Sequence, residues 1–104
     1  MSRPLIFLPE VSSDFLEAFD YYENLSPNRG GTRLDGAFRA ALQQVKDGSI
    51  THTRVFVNFH RVILRRFPYN LYYRLVDEQA VIVGLLYARY DPEKIDAILK
   101  GRTH

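Results

Sequence analysis

The spacing of apolar residues changes its period along the chain and lays out the elements. Leu5-Ile6-Phe7-Leu8, closed by Pro9, predicts a short first strand. Phe15, Ala18, Phe19, Tyr22 and Leu25 then recur at helical spacing and make one continuous stripe. Ser12 or Ser13 would cap that helix, with Asp14 and Glu17 near its positive end. Leu34, Phe38, Ala41, Leu42 and Val45 give a second stripe. Ser26-Pro27 offers that helix a start, and Gly48 a stop. Gly30-Gly31 weakens its first turns, each glycine by about 1 kcal/mol relative to alanine, so its start can slip to Thr32.

Beyond Gly48 the period becomes two. Val55 and Val57 alternate with Phe56 and Asn58, a lead-in strand or an extended loop. His60 to Phe67 and Tyr69 to Val76 predict a hairpin, with Pro68, which cannot donate to a ladder, in its turn. Tyr69, Leu71, Tyr73 and Leu75 alternate with Asn70, Tyr72, Arg74 and Val76 across the second of these strands. Asp77-Glu78-Gln79 makes another turn. Val81 to Ala88 is nearly all apolar, as a central strand covered on both faces would be. Asp91-Pro92 caps a last short helix that carries Ile95, Ile98 and Leu99 and ends at Gly101. The order is β-α-α-β-β-β-α, an α+β fold in which a helical hairpin packs on one face of a mainly antiparallel sheet. Residues 1–104 make a single domain.

Composition adds three constraints. No cysteine is present, which removes a disulfide framework and thiolate metal sites and fits a cytoplasmic protein. No apolar run approaches the roughly 18 residues of a membrane span. The net charge is only +2, but the charge is segregated. Glu10, Asp14, Glu17, Asp20 and Glu23 occupy the first helix with no basic residue among them, whereas Ile50 to Val76 holds five arginines and no acid. Eleven of the fourteen basic residues are Arg, the side chain suited to bidentate contacts with carboxylate and phosphate.

Conventional active sites are missing from this pattern. Gly30-Gly31 follows no strand and is not a phosphate loop. His52, His60 and His104 are scattered, so no metal site is expected, and no nucleophile elbow is present. What remains is Arg61, Arg65, Arg66, Tyr72, Arg74, Tyr87, Arg89 and Tyr90 on the strands. An arginine- and tyrosine-bearing sheet face can grip phosphates, stack bases or dock an acidic protein segment. Otherwise the arginines pair with the acidic first helix or only solubilise the sheet.

Several of these stretches resemble the ParE branch of the RelE/ParE toxin superfamily over about residues 5 to 95. They are Asp14-Phe15-Leu16-Glu17-Ala18 with Tyr21-Tyr22, Arg61 to Leu64 running into Arg65-Arg66-Phe67-Pro68-Tyr69, and Val83 to Tyr87 ending in Arg89-Tyr90-Asp91-Pro92. The resemblance implies the toxin of a type II toxin–antitoxin module, held by a ParD-like antitoxin whose flexible C-terminal segment wraps it. The ParE branch implies DNA gyrase as target, no cofactor and no catalytic residue, with Arg61, Arg65, Arg66, Tyr72, Arg74, Tyr87 and Arg89 meeting target or antitoxin. The RelE branch would instead imply ribosome-dependent mRNA cleavage, using Arg61, Arg65, Tyr87 and Arg89 with His60 as base. No Lys lies between Lys46 and Lys94, and Ala88 stands where related toxins often carry His, which favours the ParE reading. A degenerate member that only binds its antitoxin is the third reading.

Overall fold

A computed structural model describes residues 2–48 and 50–102. The elements are β1 (Leu5–Phe7), α1 (Glu10–Leu25), α2 (Gly30–Asp47), β2 (Thr53–Val55), β3 (Phe59–Ile63), β4 (Tyr69–Val76), β5 (Gln79–Tyr87) and α3 (Pro92–Gly101). The five strands form one sheet in the order β1-β5-β4-β3-β2. β1 returns across the helical hairpin to lie parallel to β5, and the other neighbours are antiparallel. The α+β order read from the periodicity is therefore the order of the fold, with the lead-in stretch adding the short strand β2.

Boundaries moved where side chains from another element intervene. α1 begins at Glu10, two to three residues before the expected serine cap; Ser12 Oγ instead donates to Pro9 O at 3.2 Å. Ser26-Pro27 does not open α2. Residues 26–29 are a turn in which Gly30 N–H donates to Ser26 O at 2.8 Å, and α2 starts at Gly30. No side chain at the cap position serves it. Glu23 of α1 does so from across the hairpin, accepting from Asn28 N–H at 2.6 Å and Gly31 N–H at 3.1 Å. A carboxylate there meets both the orphan donors and the positive end of the helix. Gly48 ends α2 with φ 67°, the left-handed conformation expected of it. Asp91 caps α3 by accepting from Glu93 N–H at 3.0 Å.

The chain between β2 and β3 turns at Phe56 and Val57, both at positive φ, so the alternation there does not continue as strand. β3 stops at Ile63 rather than Phe67. Leu64 N–H donates to Tyr69 O at 3.0 Å and closes a loop containing Arg65, Arg66 and Phe67.

The sheet has a core on each face. Under α1 and α2 lie Val62, Leu64, Leu71, Tyr73, Ala80, Ile82 and Leu85, with Ala18, Leu34, Ala41 and Val45 from the helices. On the other face Ile95 and Leu99 of α3 cover Phe59, Tyr72, Val81, Val83 and Leu86. β5 is thus buried on both faces, as its unbroken apolar run required. Tyr72 is corrected here: it is 2% exposed, so it is core beneath α3 and not a partner-facing residue. Alternation places Tyr72 opposite Tyr73 but does not say that a third helix will cover its side. Leu25, the last member of the first helical stripe, is 65% exposed and stays outside the core.

Candidate functional site

Three loops meet at one end of the sheet: the hairpin turn between α1 and α2, the β3–β4 loop, and the turn from β5 into α3. A chain of rings connects them. Tyr22 stands edge-on to Phe67 with centroids 4.8 Å apart and reaches Tyr69 at 6.1 Å. Tyr69 meets Tyr87 at 5.7 Å, directly across the β4–β5 ladder, and Tyr87 meets Tyr90 at 5.6 Å. Lys94 Nζ sits 3.8 Å from the Tyr90 ring centroid, a cation over an aromatic face. Tyr22 is half-buried, so Tyr22→Ala should cost about 2 kcal/mol in urea unfolding. Tyr21 is 57% exposed, and Tyr21→Ala should cost no more than about 0.5 kcal/mol.

Beside this chain runs an open cleft of about 790 Å³ between α2 and the β3–β4 loop. Leu25, Ala37 and Phe67 give it an apolar lining, and Arg33, Arg65 and Arg66 stand around it. No carboxylate lines it. The close approach that shapes its upper end depends on Gly30, which sits against the Tyr22 carbonyl. Arg66 has φ 71°. Glycine would hold that conformation without strain, so the arginine sits there against its local preference.

The acidic first helix does not neutralise these cations. The ion pairs among the described residues are Arg39–Asp35, Lys100–Asp96 and Arg102–Asp14, none involving Arg33, Arg65, Arg66 or Arg89. Arg89 is exposed at the end of β5 and near enough to Tyr22 to pull its phenol downward, against a larger upward push from burial and from Tyr21 and Tyr87. Burial, followed by Tyr22, Tyr90, Glu17 and Tyr21, also raises Tyr69. Both phenols are therefore neutral donors near pH 7 rather than bases. The end of the sheet can grip carboxylates or phosphates and stack planar groups.

The expected site residues divide into two groups. Arg65, Arg66, Tyr87 and Arg89 gather at this end. Arg61 and Arg74 flank the buried Tyr72 on the α3 face, half-buried, each with a sequestered Nε that has no hydrogen-bond partner. His60 is also elsewhere. It stacks on Tyr73 at 5.1 Å, four residues along β4 from Tyr69, or about 13 Å at strand rise. His104 lies outside the described residues. Arg33 was not foreseen; it comes from the second helix, and its only signal is a cation next to the core residue Leu34. No group of three or more His, Asp or Glu among the described residues could hold a metal ion. No helix there is long and apolar enough to cross a membrane.

No family model matches the chain. Two curated relatives, both named Toxin ParE2 and from the CDC 1551/Oshkosh and H37Rv strains of Mycobacterium tuberculosis, are each 26% identical over 103 residues. The match covers 99% of this chain and 98% of each relative. A solved chain described as the chromosomal ParDE TA system from P. aeruginosa superposes with a TM-score of 0.61. That alignment covers 85% of this chain and 98% of the other at 16% identity, a likeness of fold.

Proposed function

We propose that this chain, a ParE-like toxin of the RelE/ParE superfamily, is held by a ParD-like antitoxin at the basic cleft and acts in the cytoplasm on DNA gyrase. The observation that carries the antitoxin part is Arg33, Arg65 and Arg66 converging from two elements on an apolar-lined cleft with no carboxylate of its own. An acidic amphipathic segment is the complement of such a surface. Its apolar side would cover Leu25 and Phe67, and its carboxylates would accept charge-assisted hydrogen bonds from the arginines.

Gyrase inhibition rather than RNA cleavage is supported by the chemistry gathered at this end. Cleavage of RNA at the 2′-hydroxyl needs a group to take its proton. Tyr22 and Tyr69 hold their protons near pH 7, and His60 lies along the sheet against Tyr73. Binding and stacking are what the arginines and rings offer. Purified protein should inhibit supercoiling by gyrase and leave ribosome-bound mRNA intact. Unaffected supercoiling with cut mRNA would replace this reading with the nuclease one.

Arg65 and Arg66 are exposed and outside the core, so the double variant Arg65→Ala/Arg66→Ala should keep its unfolding midpoint within about 0.5 kcal/mol of stability. Its affinity for the antitoxin should fall by roughly 10- to 100-fold in calorimetry, as for two solvent-screened charge contacts of about 1 kcal/mol each. Growth inhibition in cells lacking antitoxin should disappear. Unchanged affinity and toxicity in the folded variant would return both arginines to a solubilising role.

A further inference from the structure

At the end of the sheet away from the basic cleft, three segments close on Tyr73, and α2 joins them through His52 and Arg3. The His52 ring, from the segment between α2 and β2, meets it edge-on at 5.6 Å, and His60 of β3 stacks on it at 5.1 Å. Arg3, ahead of β1, places its guanidinium 5.7 Å from the ring centroid. The same arginine ties down the end of α2, with its backbone N–H donating to Lys46 O at 2.9 Å and its Nε to Val45 O at 2.8 Å. His52 Nδ1 is 2.8 Å from the Tyr73 hydroxyl, and His52 Nε2 is 3.2 Å from Gln44 Oε1 on α2. The His52 carbonyl lies 3.1 Å from His60 Nδ1.

These contacts suit one tautomer of a neutral His52. Gln44 Oε1 can only accept, so Nε2 carries the hydrogen. A neutral His52 then has a bare Nδ1, which accepts from the Tyr73 hydroxyl. Every polar atom in the relay is satisfied. A second proton turns Nδ1 into a donor to the Tyr73 oxygen, which already faces Arg3, and the Tyr73 hydrogen must turn away to find another acceptor. Tyr73 is 1% exposed, so water does not take up that hydrogen freely. The groups that face His52 among the described residues are Arg3 from the N-terminal segment, the uncharged Gln44 from α2, and His60 and Tyr73 from β3 and β4. None is a carboxylate, so the new charge would sit beside Arg3 without compensation.

We propose that His52 is a proton-sensitive clasp that joins the β2 segment to α2 and to Tyr73, closed while the ring is neutral and opened by acidification. β2 has only three residues and one neighbour, β3, and the His52–Gln44 contact ties the segment ahead of it to the helical layer. Opening it frees residues 50–55 while leaving β3, β4 and β5 paired. Burial, with His60 and Arg3, also holds the His52 pKa below its ordinary value. The sign follows from that direction. A depressed folded-state pKa makes the contribution of His52 full above about pH 6.5 and lost as pH falls through the folded value.

The test is an NMR titration of the imidazoles in the whole chain, with amide exchange followed at residues 51–55. His52 should hold the Nε2–H tautomer at pH 7.5 and titrate below about 6.5. Protection at 51–55, corrected for intrinsic exchange, should fall by up to about tenfold for each pH unit between about 6.5 and the folded value and level off below it, while that of β5 stays level. Tyr73→Phe should raise the His52 titration, and His52→Asn should remove the pH dependence of protection at 51–55. An ordinary His52 titration, the opposite tautomer, or protection at 51–55 indifferent to pH in the wild type would overturn the proposal. The wild-type measurements decide it even if either variant fails to fold.

Discussion

Gly30→Ala is expected to cost about 3 kcal/mol or more, and Gly36→Ala, six residues along the same helix, to stabilise the protein by about 0.5 to 1 kcal/mol. A Cβ at Gly30 would fall on the carbonyl oxygen of Tyr22, with Tyr22 C and Glu23 N also in its path. These are backbone atoms of α1, so no rotamer change relieves the overlap. The helices must separate where Glu23 caps α2, and the Glu23 contacts to Asn28 N–H and Gly31 N–H go with them. At Gly31 a Cβ would instead meet the side-chain ring of Phe19. A Cβ at Gly36 meets nothing within 4 Å, so only helix propensity changes there. Thermal unfolding of both variants is the check. Gly30→Ala should lower Tm by roughly 12 °C or more and Gly36→Ala should raise it by a few degrees. A mild effect at Gly30 would mean that the hairpin can open at its tip without loss.

The same glycines mark how far the sequence could be read. Their low helix propensity was visible in the chain and suggested a late start for α2. Their purpose was not, because the atoms that exclude a side chain belong to α1. Helical stripes and strand alternation were legible because each is a local period. The element order, the mixed sheet's antiparallel part, Gly48 and the Asp91 cap followed from them. Parity assigned Tyr72 and Tyr73 to opposite faces correctly, yet it could not tell which faces were covered. The pair Ile95 and Leu99 on α3 was the available clue that a second core lay beneath Tyr72. Periodicity also extended β3 into the loop that carries Arg65 and Arg66, since an apolar-basic run does not announce a turn whose arginine sits at positive φ. Half of the candidate site was legible as a run of arginine and tyrosine. Its convergence with Arg33 was a matter of tertiary placement alone.

Asp14→Ala is expected to cost about 3 to 5 kcal/mol, the range for removing one partner of a buried ion pair. Arg102, at the end of α3, reaches across the sheet edge to Asp14 on α1. Its Nη2 donates to Asp14 Oδ1 at 2.9 Å, its Nη1 donates to Asp14 Oδ2, and Nη1 also reaches Val83 O at 3.1 Å. Asp14 Oδ2 accepts a further hydrogen bond from Leu85 N–H at 3.0 Å, next to the β5 irregularity opposite Tyr72 and Tyr73. The side chains are only 16% and 12% exposed, so screening by salt is weak and the loss is large. The hydrogen bond to Asp14 raises the Arg102 pKa further, so the cation persists at any accessible pH. Without Asp14 a guanidinium and a strand N–H are left desolvated together. Gly84 makes room for the pair: a Cβ there would stand 2.8 Å from Arg102 Nη1 and 3.3 Å from Asp14 Oδ2. The double variant Asp14→Ala/Arg102→Ala should therefore cost less than the sum of the single ones, and urea unfolding of all four proteins gives the coupling. Because this pair pins α3, and α3 carries Lys94 over Tyr90, Asp14→Ala should also weaken growth inhibition although Asp14 lies outside the basic cleft. Additive single costs, or full toxicity with a halved stability, would show that α3 is held by Ile95 and Leu99 alone.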